Sequence, residues 1–125
     1  MSAITITNAG LDLLRDGMSG VNASKITYVA LGTSNTAPTT GDIKLGTEVF
    51  RKQVTSYTNG ASHGEILING YIAPSDAVGV VIAEVGYFGG NASSAKDSGV
   101  LLARGLYSHT KVNTESIQLQ VDLTL

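Results

Sequence analysis

Ser116-Ile117-Gln118-Leu119-Gln120-Val121-Asp122-Leu123-Thr124-Leu125 closes the chain, and its reading decides the fold. Apolar residues hold every odd position and polar residues every even one, without a break. A strand turns successive side chains to opposite faces, so this segment reads as a strand with one face buried and one in water. A helix would scatter the same residues around its circumference.

Working back towards the N-terminus, further strands are expected at about 99–108, 79–88, 64–73 and 48–57, and at Ile26-Thr27-Tyr28-Val29-Ala30-Leu31. Turn-rich pieces such as Thr58-Asn59-Gly60-Ala61-Ser62 and Gly89-Gly90-Asn91-Ala92-Ser93-Ser94 separate them. Thr33 to Gly46, with Pro38 and many threonines, reads as a long exposed loop. Six strands at this spacing predict an all-β fold, a sandwich or barrel-like antiparallel sheet. One short helix precedes it, in Thr7-Asn8-Ala9-Gly10-Leu11-Asp12-Leu13-Leu14-Arg15-Asp16-Gly17. Thr7 or Asn8 is the expected cap and Gly17 the expected stop, and a Leu11/Leu14 face continued by Met18 is expected to pack on the sheet. At 125 residues the chain has room for one core, so residues 1–125 read as a single domain.

The net charge is −2 and 14 % of residues are charged. The eight basic residues are scattered, and only Arg51 and Lys52 adjoin. A nucleic-acid binder needs such residues gathered to displace phosphate counterions, so no nucleic-acid partner is expected. No apolar run approaches the roughly 20 residues of a membrane span, and the N-terminus lacks the basic-then-apolar order of a signal peptide. No membrane association is expected. A surface built from Ser, Thr, Asn and Gly loses little on desolvation, which suits a subunit of a large assembly.

The inventory for catalysis is thin. With no cysteine there is no thiolate nucleophile or cysteine-zinc site. His63 and His109 belong to no spaced ligand set and read as surface residues. Most carboxylates, including Asp42, Asp76 and Asp97, fall in or beside turns, where Asp is favoured for local hydrogen bonds. No catalytic residue, metal or cofactor is expected. Glu84 stands out because Val80-Val81-Ile82-Ala83-Glu84-Val85 is otherwise apolar. A buried carboxylate needs a partner. Folding 79–88 back on 99–108 places Arg104 opposite it, and a structural ion pair between Glu84 and Arg104 is expected.

Several segments together carry a resemblance. Ile6-Thr7-Asn8-Ala9-Gly10-Leu11, then Ile26 to Thr33 with the loop holding Pro38, then Leu45-Gly46-Thr47-Glu48-Val49-Phe50-Arg51-Lys52, Ala83-Glu84-Val85-Gly86-Tyr87-Phe88-Gly89, Gly99-Val100-Leu101-Leu102-Ala103-Arg104 and a closing β segment follow in the order seen in the N-terminal domain of phage tail-collar fibre proteins. The chain resembles that family over about Ile6 to Leu125. The resemblance implies a virion structural protein, assembled in the host cytoplasm. Its role would be fibre attachment or adaptation at the tail, baseplate or collar, by docking to copies of itself, usually as a trimer, and to other virion proteins. No shaft or receptor-binding tip is expected, and a capsid decoration protein is the alternative. A host-glycan-binding module, with Tyr57 and Tyr107 as its stacking rings, is a second alternative.

Overall fold

The computed structural model describes residues 4–20 and 24–124, so Leu125 of the closing alternation lies outside the described residues. The fold is all-β with one helix. Its elements are β1 (Ile4–Ile6), α1 (Asn8–Ser19), β2 (Ile26–Gly32), β3 (Glu48–Gln53), β4 (Ser56–Asn59), β5 (Glu65–Ile72), β6 (Val81–Gly89), β7 (Val100–Thr110) and β8 (Ile117–Thr124). They form a five-stranded sheet in the order β1-β7-β6-β2-β3 and a three-stranded sheet in the order β4-β5-β8. Every pairing is antiparallel.

There are eight described strands where the sequence predicts six, for two reasons. The expected strand at 48–57 is two strands. The Val54 amide bonds the Thr27 carbonyl in the large sheet, and the next amide, on Thr55, bonds the Asn69 carbonyl in the small one. The chain therefore turns a sandwich corner between β3 and β4. β1 is only three residues long, too short to show a period.

One apolar core joins the two sheets and the helix. Ile117, Leu119, Val121 and Leu123 of β8 enter it beside Ile68 and Ile72 of β5, facing Val29, Val85 and Tyr87 of the large sheet. A smaller cluster of Ala30, Leu45, Phe88 and Leu101 lies on the opposite face of the large sheet. Leu45 comes from the expected exposed loop, so that loop folds back over the sheet. This cover explains why 79–88 is apolar on both faces. β6 is the central strand, with core on one side and the loop on the other.

Thr7 caps α1, its hydroxyl accepting the Gly10 amide at 2.9 Å; Asn8 is the first helical residue. The helix runs past Gly17 and ends at Gly20, whose amide donates to the Asp16 and Gly17 carbonyls. Its buried stripe also differs from the expected one. Leu11 is 53 % exposed and Met18 91 %, while Leu13 is buried and Leu14 half-buried against the core. Gly10 decides the rotation. A Cβ there would stand 2.6 Å from the Leu102 carbonyl oxygen, so only this bare position lets the helix backbone meet β7.

Leu13→Ala should accordingly cost about 2–5 kcal/mol in denaturant unfolding, as burial of a large side chain dictates. Leu11→Ala should cost less than about 1 kcal/mol. The reverse ranking would show that the helix packs by its Leu11 face.

Candidate functional site: a buried charge cluster

Glu84 lies on the outer, loop-covered face of β6 and is fully buried. Its Oε1 accepts the Gly46 amide at 2.7 Å and Nε of Arg104 at 2.9 Å. Its Oε2 accepts the amides of Ser34 at 3.0 Å and Thr47 at 2.8 Å. An ionised carboxylate offers about four lone-pair sites, and all are taken. Gly32 makes room for it. A Cβ at that position would lie 2.4 Å from Oε2 and 2.5 Å from the Thr47 carbonyl oxygen.

Glu84 and Arg104 are joined, but not directly opposed. Glu84 faces Leu106, and Arg104 faces Gly86. The hairpin closes with Gly89 opposite Val100, one place off the expected register, and the break between Tyr87 and Phe88 adds the second place. A shift of one would have turned Arg104 into the core; a shift of two keeps it on the face of Glu84, one diagonal step away. From there its Nη1 donates to Asp42 at 3.2 Å and its Nη2 to the Thr36 carbonyl at 2.9 Å. Asp42 in turn accepts the amide and hydroxyl of Thr39. The guanidinium thus fastens the long loop from above while Glu84 fastens it from below.

A second ion pair lies on the same face. Arg51 grips Glu48 with Nε and Nη2 at 2.9 and 2.8 Å, and its Nη1 donates to the carbonyls of Ser93 and Ser98 and the Ser98 hydroxyl. The guanidinium lies 4.3 Å from the centre of the Phe88 ring. Both side chains are almost wholly buried. Positions three apart normally fall on opposite faces of a strand. Here the register breaks between Leu31 and Gly32, skipping Val49, and the two residues share a face. Sequence spacing carries no sign of this pair. A third buried cation, Lys111, donates to the carbonyls of Pro74 and Val112.

The remaining expected features are dispersed. His63 is exposed. His109 is half-buried, in contact with Glu115 and stacked on Tyr107, with centroids 6.1 Å apart. Tyr57 lies on β4 of the small sheet and Tyr107 on β7 of the large one. The Tyr57 hydroxyl donates to the Ile26 carbonyl. A cavity of about 290 Å³ between helix and sheets is lined by apolar side chains such as Leu14, Ile66 and Leu123, with Lys25 the one charged residue on its wall. Among the described residues no three His, Asp or Glu side chains gather as metal ligands, and no helix is long and apolar enough to cross a membrane. Compared with protein-family models, curated proteins and solved structures, the chain finds no match in any of the three.

Burial alone pushes the Glu84 carboxyl up. The amides of Thr47 and Gly46, the Arg104 guanidinium and the Ser34 amide outweigh it and hold the group below the ordinary carboxylate range. Asp42 is lowered in the same way, with burial opposing and Thr39 and Arg104 prevailing. A carboxyl whose pKa falls on folding stabilises the fold above the ordinary range, and that contribution is lost as pH drops through the folded-state value. The loss is therefore expected below about pH 4. Glu84→Gln should cost about 3–5 kcal/mol at neutral pH, because it leaves a buried guanidinium underpaired. It should also flatten the acid limb of the stability curve measured by urea unfolding. Parallel curves for wild type and variant would show that Glu84 contributes nothing to the pH dependence.

Proposed function

We propose that this chain is a non-catalytic structural subunit of a bacteriophage particle. It works at the tail, baseplate or collar as a fibre-attachment or adaptor domain, by docking to copies of itself and to other virion proteins. The observation that carries the reading is where the resembling segments meet. Ser34 just beyond the segment Ile26 to Thr33, Gly46 and Thr47 of the next segment, and Arg104 meet around the buried Glu84 carboxylate. Thr7 of the first segment bonds the carbonyls of Leu101 and Leu102 in the last. The segments that carry the resemblance thus bond one another in this fold.

The same geometry speaks against using Glu84 as an acid or base. A carboxylate with every acceptor site filled by backbone amides and a guanidinium has no lone pair to offer a substrate proton. What lies open to partners is a surface poor in charge with exposed apolar side chains such as Leu11, Met18 and Ile43. Such a surface suits docking.

Peptide mass spectrometry of particles purified from the phage or prophage that carries the gene tests this directly. The protein is expected at a fixed ratio to the major structural proteins, and gold-labelled antibody is expected at the tail end. Labelling over the head would replace the adaptor role with capsid decoration. Complete particles lacking the protein would overturn the virion reading altogether.

A further inference from the structure

A sheet edge leaves backbone N–H and C=O groups unpaired, and proteins that stay apart blunt such edges with short strands, bulges or charges. Three of the four edge strands here are blunted. β1 has three residues and β4 has four. β3 carries Arg51 and Lys52 and the register break at Gly32. The far end of β7, which runs past β1, lies opposite the break between Ile82 and Glu84. β8 is different. It is the outer strand of the small sheet, eight residues long, paired to β5 without any break, and free of Pro, Gly and Lys. Every second residue of such a strand turns its N–H and C=O outward. Among the described residues, no backbone hydrogen bond from outside the sheet reaches this edge.

We propose that this edge is where two copies of the chain join, β8 against β8, antiparallel about a two-fold axis. The inference rests on the reading of the chain as an assembling subunit and names its first partner. The sequence of β8 is its own complement when the axis passes through Gln120. Ile117 then faces Leu123 and Leu119 faces Val121 on the core side, so the two small sheets merge with their apolar faces continuous. On the outer side Gln118 faces Asp122, and the amide can donate to the carboxylate. That donor has a use, because Asp122 already stands near Glu65 of its own chain, one diagonal step across β5. An axis through Val121 would instead set Gln120 against Asp122 and Gln118 against Thr124, so substitutions at Gln118 tell the two apart, and two other registers are worse. A slip of one residue would set apolar against polar faces, and an axis through Asp122 would oppose two carboxylates. With one open edge per chain the contact closes on itself, giving a dimer and no fibre.

A two-fold pair also differs from the trimer that the family resemblance implies, so stoichiometry decides. Sedimentation equilibrium of the full chain, taken up to about 0.5 mM, should show a monomer–dimer equilibrium. Gln118→Asp puts like charges opposite each other twice per dimer and should weaken it by about tenfold. Gln118→Lys meets Asp122 and should tighten it several-fold, and both effects should shrink in high salt. Thermal melts at low concentration check that the exposed substitutions leave the monomer folded. A monomer at the highest concentration, a trimer, or a dimer indifferent to both substitutions would overturn the proposal. Each would leave the location of the protein in the particle a separate question, and absence from particles would leave a measured dimer standing.

Discussion

A carboxylate placed inside a β-sheet protein must be surrounded by donors or it will not stay charged, and at Glu84 this demand organises the long loop over the large sheet. The donors come from three backbone amides of one long segment and from a guanidinium on the neighbouring strand. Meeting the demand draws the segment from Thr33 to Thr47 down onto the large sheet, seats Leu45 against Phe88 and Leu101, and requires Gly32 to be bare. Arg104 then needs its own partners, and Asp42 and Thr36 supply them from the same segment. The loop is held at both ends of its path by groups that are themselves held by the sheet.

This explains how a domain with so few charges has an ordered surface on both sides of its larger sheet. The inner face is packed by the small sheet and helix, in the ordinary manner of a sandwich. The outer face is packed by loops, and loops carry backbone groups that must be satisfied. Glu84 and Glu48 serve as acceptors for those amides, and Arg104 and Arg51 as donors to those carbonyls. These charges are consumed in holding loops. The exposed remainder includes β8, the open edge of the small sheet.

Much of this was legible from the residues, where the pattern is one-dimensional. The strict alternation of 117–123 needs no knowledge of the rest of the chain, and a lone Glu and a lone Arg in two apolar strands joined by a turn-rich loop call for each other. Features that depend on two strands at once were not legible. The register of β6 on β7 hinges on where the turn closes and on a break among residues apolar on both faces, so nothing in their order marks the two-place shift. Glu48 and Arg51 meet only because Val49 is skipped. In the helix, Leu11, Leu13 and Leu14 support two equally apolar stripes, and the missing side chain of Gly10 chooses between them.

Amide hydrogen exchange at Ser34, Gly46 and Thr47 tests most directly whether Glu84 holds the outer loop. These amides belong to a segment whose surface is largely open, and by exposure alone they should exchange as fast as their neighbours Ile43 and Lys44. If the carboxylate fixes them, their opening requires the sheet to open, and their protection should fall within about 1 kcal/mol of that of the β6 amides. Exchange at the rate of Ile43 and Lys44 would contradict the account, because it would mean that the loop leaves Glu84 freely while the sheet stays closed.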